Sequence, residues 1–380
     1  MKDNPLLNLE ALGQSVWLDF ISRGSLTSGQ LKRLIEEDGL SGVTSNPSIF
    51  EKSILLSQDY EQSIHSLVQA GKSAEEIYQQ MTVTDIRMAA DLFRPTFDRT
   101  DGRDGFVSIE VSPHLAHDTA GSLAEARRLW AAVNRPNVMI KIPGTPEGLP
   151  AIQALIQTGI NINITLLFGL TRYQQVVEAY LSGLEARSTQ GGSLGRVASV
   201  ASFFLSRIDV LIDPMLEEKM KMNTPQAGIA SELHGQIAIQ SAKAAYGIFN
   251  ELFHGPRFQR LLQQGARPQR LLWASTSTKN PSYSDVKYVE PLIGSQTINT
   301  LPLETLEAYR DHGKPAAHLA EGLNLARLSL ERLSQVQIEL EAVTAQLEKE
   351  GVEKFNQAYD KTLATLQEKQ AAALKEPQKG

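Results

Sequence analysis

Side chains capable of nucleophilic and acid–base chemistry recur in this chain inside short apolar runs, where a globular protein ordinarily avoids them. Lys141 interrupts VMIKI (138–142), Glu110 interrupts VSIEV (107–111), and Asp19 interrupts VWLDF (16–20). Thr44 and Asn46 fall in GVTSN (42–46), and Asn163 and Thr165 in INITLLF (162–168). Such runs read as strands, and strand side chains alternate between two faces. In the first run Val16, Leu18 and Phe20 share a face, with Asp19 opposite. Glu110 sides with Ser108 against Val107, Ile109 and Val111, and Lys141 opposes Val138, Ile140 and Ile142. Thr44 sides with Asn46, while Asn163 and Thr165 oppose Ile162, Ile164 and Leu166.

Each residue taken alone has a plainer reading. A strand lysine is often a solvated rim residue, and an isolated acid is often an ion-pair partner or a cap. Asn163 and Thr165 alone would pass as polar barrel filling. The shared parity across five strands argues otherwise. Burying uncharged polar groups without partners costs roughly 2–7 kcal/mol each, so one common polar pocket is the economical explanation. Parity is fixed by the sequence, and a one-residue error in a strand boundary leaves it unchanged.

A lysine in such a pocket has a chemical use. Desolvation and neighbouring cations favour the neutral amine, which attacks a carbonyl to form a Schiff base. The iminium then serves as an electron sink for cleavage of an adjacent bond. A carboxylate must take the proton of the departing alcohol, and either Asp19 or Glu110 meets that need. The scheme calls for no cofactor and no metal.

The elements that would position these residues alternate along the chain. Three further strands are read at ASVASFF (198–204), RLLWAS (270–275) and TINTL (297–301), making eight with the five above. Between them lie helical segments such as SGQLKRLIEEDG, read with a Ser cap and a stop at Gly39, SLAEARRLWAAV and LPAIQALIQTG. Alternating strands and helices imply parallel pairing with right-handed crossovers, and eight units favour a closed (β/α)8 TIM barrel. Active sites of such barrels lie at the C-terminal ends of the strands.

Two connections exceed a simple barrel. Residues 47–106 include SAEEIYQQMTVTDIRMAADLF, and the insertion at 205–268 holds at least two helices, including IASELHGQIAIQSAKAAYGIFNELF. Additional C-terminal helices occupy about 303–370, where Val336, Leu340, Val343 and Leu347 recur as one helical face. RSTQGGSLGR (187–196) reads as a loop and the EPQKG end as frayed. Without a repeat or a splitting linker, residues 1–380 read as a single elaborated domain.

Composition narrows the chemistry further. Of 380 residues, 42% are hydrophobic and 21% charged, which is globular. With 43 acidic and 37 basic side chains the formal net charge is -6, which argues against a nucleic-acid partner but leaves room for a local phosphate site. Cysteine is absent, which removes disulfides, thiolate nucleophiles and cysteine-ligated metals. The 7 histidines include no HExxH, and His114 and His117 in SPHLAHD read as loop or helix-start residues. GGSLG lacks the strand–helix context of a nucleotide loop, and Trp17, Trp130 and Trp273 read as packing residues. No apolar run approaches the ~20 residues of a membrane span, and MKDNPLLNLEALGQ lacks the features of a signal peptide. A cytoplasmic protein is expected. The leucine-rich stripe after 316 reads as core or as a homo-oligomer contact.

Longer stretches resemble one family. GVTSNPSIFEKSI (42–54) resembles the first transaldolase signature, and MIKIPGTPEGLPAI (139–152) with GININITLLF (159–168) resembles the segment around its Schiff-base lysine. VWLDF, SIEVSP, the spacing of Ser202, Phe204 and Arg207, WASTSTKNPSYSD and TINTLP extend the likeness from residue 16 to 302, and the C-terminal helices fit the longer bacterial branch. The resemblance implies transfer of a dihydroxyacetone unit between small-molecule sugar phosphates. The expected conversion is sedoheptulose 7-phosphate and glyceraldehyde 3-phosphate to erythrose 4-phosphate and fructose 6-phosphate, in the non-oxidative pentose phosphate pathway. By the same resemblance Lys141 is the nucleophile and Asp19 the acid/base of carbon–carbon cleavage. Glu110 and Thr165 hold a proton-shuttling water, and Asn46 and Asn163 bind hydroxyls, with Thr44 and Ser202 beside them. Phosphate recognition falls to Arg207, whose guanidinium offers a bidentate fork, and to Lys279 as a point charge.

The chain departs from the family pattern in places. Lys279 stands where shorter relatives carry arginine in a different local sequence, and Phe203 follows Ser202 where many have proline. The related fructose 6-phosphate aldolases are much shorter. They carry Gln at the Glu110 position and Tyr at the Phe204 position, so Glu and Phe here favour transfer over release of free dihydroxyacetone. A catalytically silent sugar-phosphate-binding barrel would be expected to lose Lys141 or its partners, and all are present. Some relatives carry an appended sugar-isomerase domain, so a fusion partner is also compatible with the helical end.

Overall fold

The computed structural model describes residues 4–222 and 224–373. The EPQKG end lies outside the described residues. Eight parallel strands close into a barrel: β1 (Gln14–Leu18), β2 (Gly42–Val43), β3 (Phe106–Glu110), β4 (Val138–Pro143), β5 (Ile162–Leu167), β6 (Ser199–Phe204), β7 (Arg270–Ala274) and β8 (Thr297–Leu301). Each pairs with its sequence neighbour, and β1 closes the ring on β8 through five register pairs from Gln14 with Thr297 to Leu18 with Leu301. Their outward faces (Val107, Ile109, Ile140, Ile142, Ile162 and Ile164) are fully or almost fully buried against the helices, as the alternation requires. Gly42 is needed on β2 because an added Cβ would fall 2.5 Å from the ring of Trp17, its register partner on β1.

β2 is shorter than the expected 42–46. The chain leaves the sheet after Val43, and Asn46 caps the helix Pro47–Leu55, its side chain accepting a hydrogen bond from Ile49 N at 3.0 Å. Asn46 thus reaches the barrel mouth from a helix cap. The helix Gln30–Glu37 is preceded by Gly29 with no side-chain cap, so the expected Ser cap is not formed, although Gly39 follows its end with φ 69°. Residues 187–189 belong to the helix Leu170–Thr189, which shortens the expected loop from its N-terminal side.

The β6–β7 connection comprises Ser206–Met220, Gln226–Leu233, Ile237–Phe253 and Pro256–Leu262; the long apolar segment breaks at 234–236. After β8 come Leu303–His312, Leu323–Glu331 and Leu340–Ala373. Val336, Val343 and Leu347 are buried, but Gln337 takes φ 61°, so Val336 lies in the short turn Arg332–Val336 ahead of the last helix.

That last helix crosses the C-terminal mouth of the barrel. Glu348 pairs with Arg172 at 3.2 Å on one side, while Lys361 pairs with Glu51 at 2.7 Å and Tyr359 meets Tyr78 edge-on at 5.1 Å on the other. Gly351 permits the close approach, because a Cβ there would stand 2.9 Å from Leu166 and 3.5 Å from Arg207.

Candidate active site

Inward-facing residues at the C-terminal ends of the strands converge as parity demands. Glu110 and Lys141 are direct register partners on β3 and β4. Lys141 Nζ donates to the carbonyl of Ser45 at 2.9 Å and lies 3.4 Å from Glu110 Oε2, with both side chains about 95% buried. Neither carboxylate oxygen of Glu110 has a hydrogen-bond partner among the described residues, nor does Thr165 Oγ1. Burial drives the Glu110 carboxyl up to about 7, against the opposing pull of Lys141.

Asp19 lies just past the end of β1, its amide bonded to the Leu301 carbonyl at 2.8 Å. Thr44 Oγ1 donates to Asp19 Oδ1 at 2.7 Å and also stands 2.7 Å from Thr300 Oγ1. A hydroxyl has one proton to give, so Thr300 must donate to Thr44. Burial raises the Asp19 carboxyl above the usual carboxylate range, while Lys141 and the Thr44 hydrogen bond pull it down. Each carboxylate is therefore a stronger base than in water, and both bracket one amine.

Asn163 on β5 is fully buried, donating to Ser108 Oγ at 3.0 Å and accepting from Ser202 Oγ at 2.6 Å. This ties β3, β5 and β6 together beside Lys141. Beyond Thr165 the β5–β6 register shifts, and Leu166 adopts φ 55°. A bulge with a non-glycine residue at positive φ costs on the order of 1–3 kcal/mol, strain of a kind that clusters at functional sites.

The mouth opens as a cavity of about 920 Å³, bordered by Asp19, Thr44, Asn46, Lys141, Ser202 and Phe204. Arg207 and Lys279 border it too, together with residues of the last helix, including Leu347, Lys354 and Phe355. The Arg207 guanidinium sits 5.5 Å over the Phe204 ring, and Phe204 packs on Phe168 at 5.2 Å. Lys279 donates to Ser277 Oγ at 2.5 Å, and burial lowers its ammonium from the ordinary lysine value, Lys354, Lys52 and Arg207 adding to the effect and Glu304 opposing it. Glu110 does not border this mouth. It borders a separate, enclosed cavity of about 20 Å³ with Ser45, Asn46, Tyr78 and Tyr359, above the size one water requires.

Every residue singled out from the sequence therefore lies in or beside one site, with Asn163, Thr165 and Glu110 beneath its floor. Sequence reading missed Ser45, which acts through its backbone carbonyl, and Thr300, which stands behind Thr44. It also missed Lys52 and Lys354. Lys52 lies within GVTSNPSIFEKSI, one helical turn after Ser48, which borders the same cavity. Lys354 carries no local signal. His114 pairs with Asp360 at 2.7 Å and His117 with Glu147 at 3.0 Å, and no acidic/histidine metal cluster occurs among the described residues.

Residues 16–366 match the family model described as transaldolase/fructose 6-phosphate aldolase. A transaldolase from Thiobacillus denitrificans is 46% identical over 363 residues, covering 94% of this chain and 98% of that protein. Transaldolases from Trichodesmium erythraeum (45% over 373 residues, 97% and 98% of the two chains) and Saccharopolyspora erythraea (45% over 365 residues, 95% and 97%) are similar along the same length. Matched by the family model over most of its length and by relatives of this identity, this chain belongs to the transaldolase/fructose 6-phosphate aldolase family.

Proposed function

We propose that the chain catalyses the transaldolase reaction on sugar phosphates, with Lys141 as the Schiff-base nucleophile. The observation that carries this reading is the placement of Lys141 Nζ, buried and 3.4 Å from a carboxylate with no other partner among the described residues. The amine attacks the C2 carbonyl of the donor ketose. Glu110, poised to hold a proton near neutral pH, protonates the carbinolamine hydroxyl, which leaves as water. The unpartnered Thr165 hydroxyl and Glu110 carboxylate support a shuttling water there.

Asp19 then takes the proton of the C4 hydroxyl, the C3–C4 bond breaks, and its electrons flow into the iminium to give an enamine. The aldehyde departs, an acceptor aldehyde binds, and the steps reverse with Asp19 returning the proton. Thr300 and Thr44 orient Asp19 for this exchange. Asn46, with its carbonyl oxygen committed to the helix cap, offers its amide N–H groups to substrate hydroxyls, and Asn163 and Ser202 fix the floor below. Arg207 and Lys279 receive the phosphate. Residues 1–380 act as one catalytic domain on this reading. A sugar-phosphate substrate, with no nucleic-acid partner, fits the net charge of -6.

The test is to incubate the protein with fructose 6-phosphate, reduce with borohydride and map the modified peptide. A three-carbon adduct on Lys141 that erythrose 4-phosphate discharges before reduction is the expected result. A folded sample with no lysine adduct overturns the mechanism.

A further inference from the structure

Four cations from four separate elements border the mouth cavity: Lys52 on Pro47–Leu55, Arg207 on Ser206–Met220, Lys279 after β7, and Lys354 on the last helix. None of them forms an ion pair with a carboxylate among the described residues. Three other charged residues of the last helix are paired, Lys361 with Glu51 at 2.7 Å, Lys369 with Glu61, and Glu348 with Arg172 at 3.2 Å. Burial, together with Lys354, Lys52 and Arg207 and against Glu304, lowers the Lys279 ammonium, so Lys279 feels the other three charges across the cavity. Uncompensated like charges that converge on a cavity are destabilising unless an anion enters.

Acids on the same cavity do not remove the excess. Glu51 is taken by Lys361, Glu304 acts on Lys279 and Asp19, and Asp19 and Glu350 act on Arg207 without closing to ion-pair distance. The stretch of helix that carries Lys354 is held in place. One turn earlier Gly351 packs against Leu166, and the neighbouring Phe355 is buried at the cavity wall.

We propose that Lys354, together with Lys52, forms the outer arm of the phosphate site, so that the C-terminal helix supplies part of sugar-phosphate recognition. The inference rests on the transaldolase reading above. It assigns Arg207 to the inner contact, where burial and Phe204 fix its orientation, and the two lysines to the solvent side of a phosphate monoester dianion. The helix at the barrel mouth is then a specificity element for phosphorylated sugars.

The test compares Lys354→Met, Lys354→Gln and Lys52→Met with the unsubstituted enzyme. KM for fructose 6-phosphate and erythrose 4-phosphate should rise about fivefold per lysine, with kcat held within a factor of about two. Competitive inhibition by inorganic phosphate should weaken in parallel, and Lys354→Arg should restore both. Borohydride trapping of unphosphorylated dihydroxyacetone on Lys141 should be unchanged, because no phosphate is involved. Unaltered KM and unaltered phosphate inhibition, in variants that still form the Lys141 adduct, overturn this proposal alone. Absence of the adduct in the unsubstituted enzyme overturns the functional reading and this proposal with it.

Discussion

The two ends of the barrel interior both bury charge, and they handle it in opposite ways. At the N-terminal end Asp104 accepts from Trp17 Nε1 at 2.7 Å, from Ser15 Oγ and from its neighbouring amide, and stands 3.6 Å from Arg270. Arg270 also donates to Ser15 Oγ and to the Thr297 carbonyl, both at 2.6 Å. At the C-terminal end Glu110 keeps two oxygens without hydrogen bonds and Thr165 an idle hydroxyl. A satisfied buried network stabilises one arrangement, whereas an unsatisfied one costs stability and persists where it serves chemistry. Burial alone therefore does not mark a catalytic group.

Removing the nucleophile should have the largest effect on turnover. Lys141→Ala is expected to lower kcat by roughly 10³-fold or more and to abolish the borohydride adduct, while its thermal unfolding stays cooperative. The counterpart at the other end is Arg270→Met, which strands Asp104 and should cost about 3–5 kcal/mol in denaturant unfolding. The folded fraction should keep its KM and kcat. Loss of activity without loss of stability in Arg270→Met would break the contrast between the two ends.

Glu110→Gln should lower kcat about 10²-fold and remove the ionisation near pH 7 from the rate of Schiff-base formation, which otherwise falls as the acid form is lost. Stability carries the same signature. The folded Glu110 carboxyl titrates near 7 instead of its ordinary 4.5, so between these values the folded state holds a proton that the unfolded state has released. Stability contributed by this group therefore falls as pH rises through that window. Denaturant titrations at several pH values should show the slope flatten in Glu110→Gln. The smallest effect is expected for Thr300→Val. Loss of one donor behind Thr44 is worth about 1 kcal/mol, a roughly fivefold fall in kcat/KM with no change in phosphate inhibition.

Much of this was readable from the chain because strand alternation is local. Asp19, Glu110, Lys141, Asn163 and Thr165 were placed inside the barrel by parity with their neighbours, and the structure puts them there. The eight strands were likewise legible, since each is a short apolar run bounded by helices. Asn46 shows where this reasoning slips. The run GVTSN extends past the sheet, and the capping preference of Asn before Pro47 ends the strand early.

What the sequence determined by itself was the barrel, its catalytic end and the residues whose strand neighbours betray their direction. Tertiary structure alone decided that the Ser45 carbonyl would hold Lys141 Nζ, that Thr300 would stand behind Thr44, and that Asp104 and Arg270 would plug the opposite end. It also brought Lys354 to the mouth from a helix far along the chain, seated by Gly351 against Leu166. The physical reason is range. Alternation and capping act over a few residues, whereas the docking of a remote helix depends on side-chain packing between surfaces that no local pattern records.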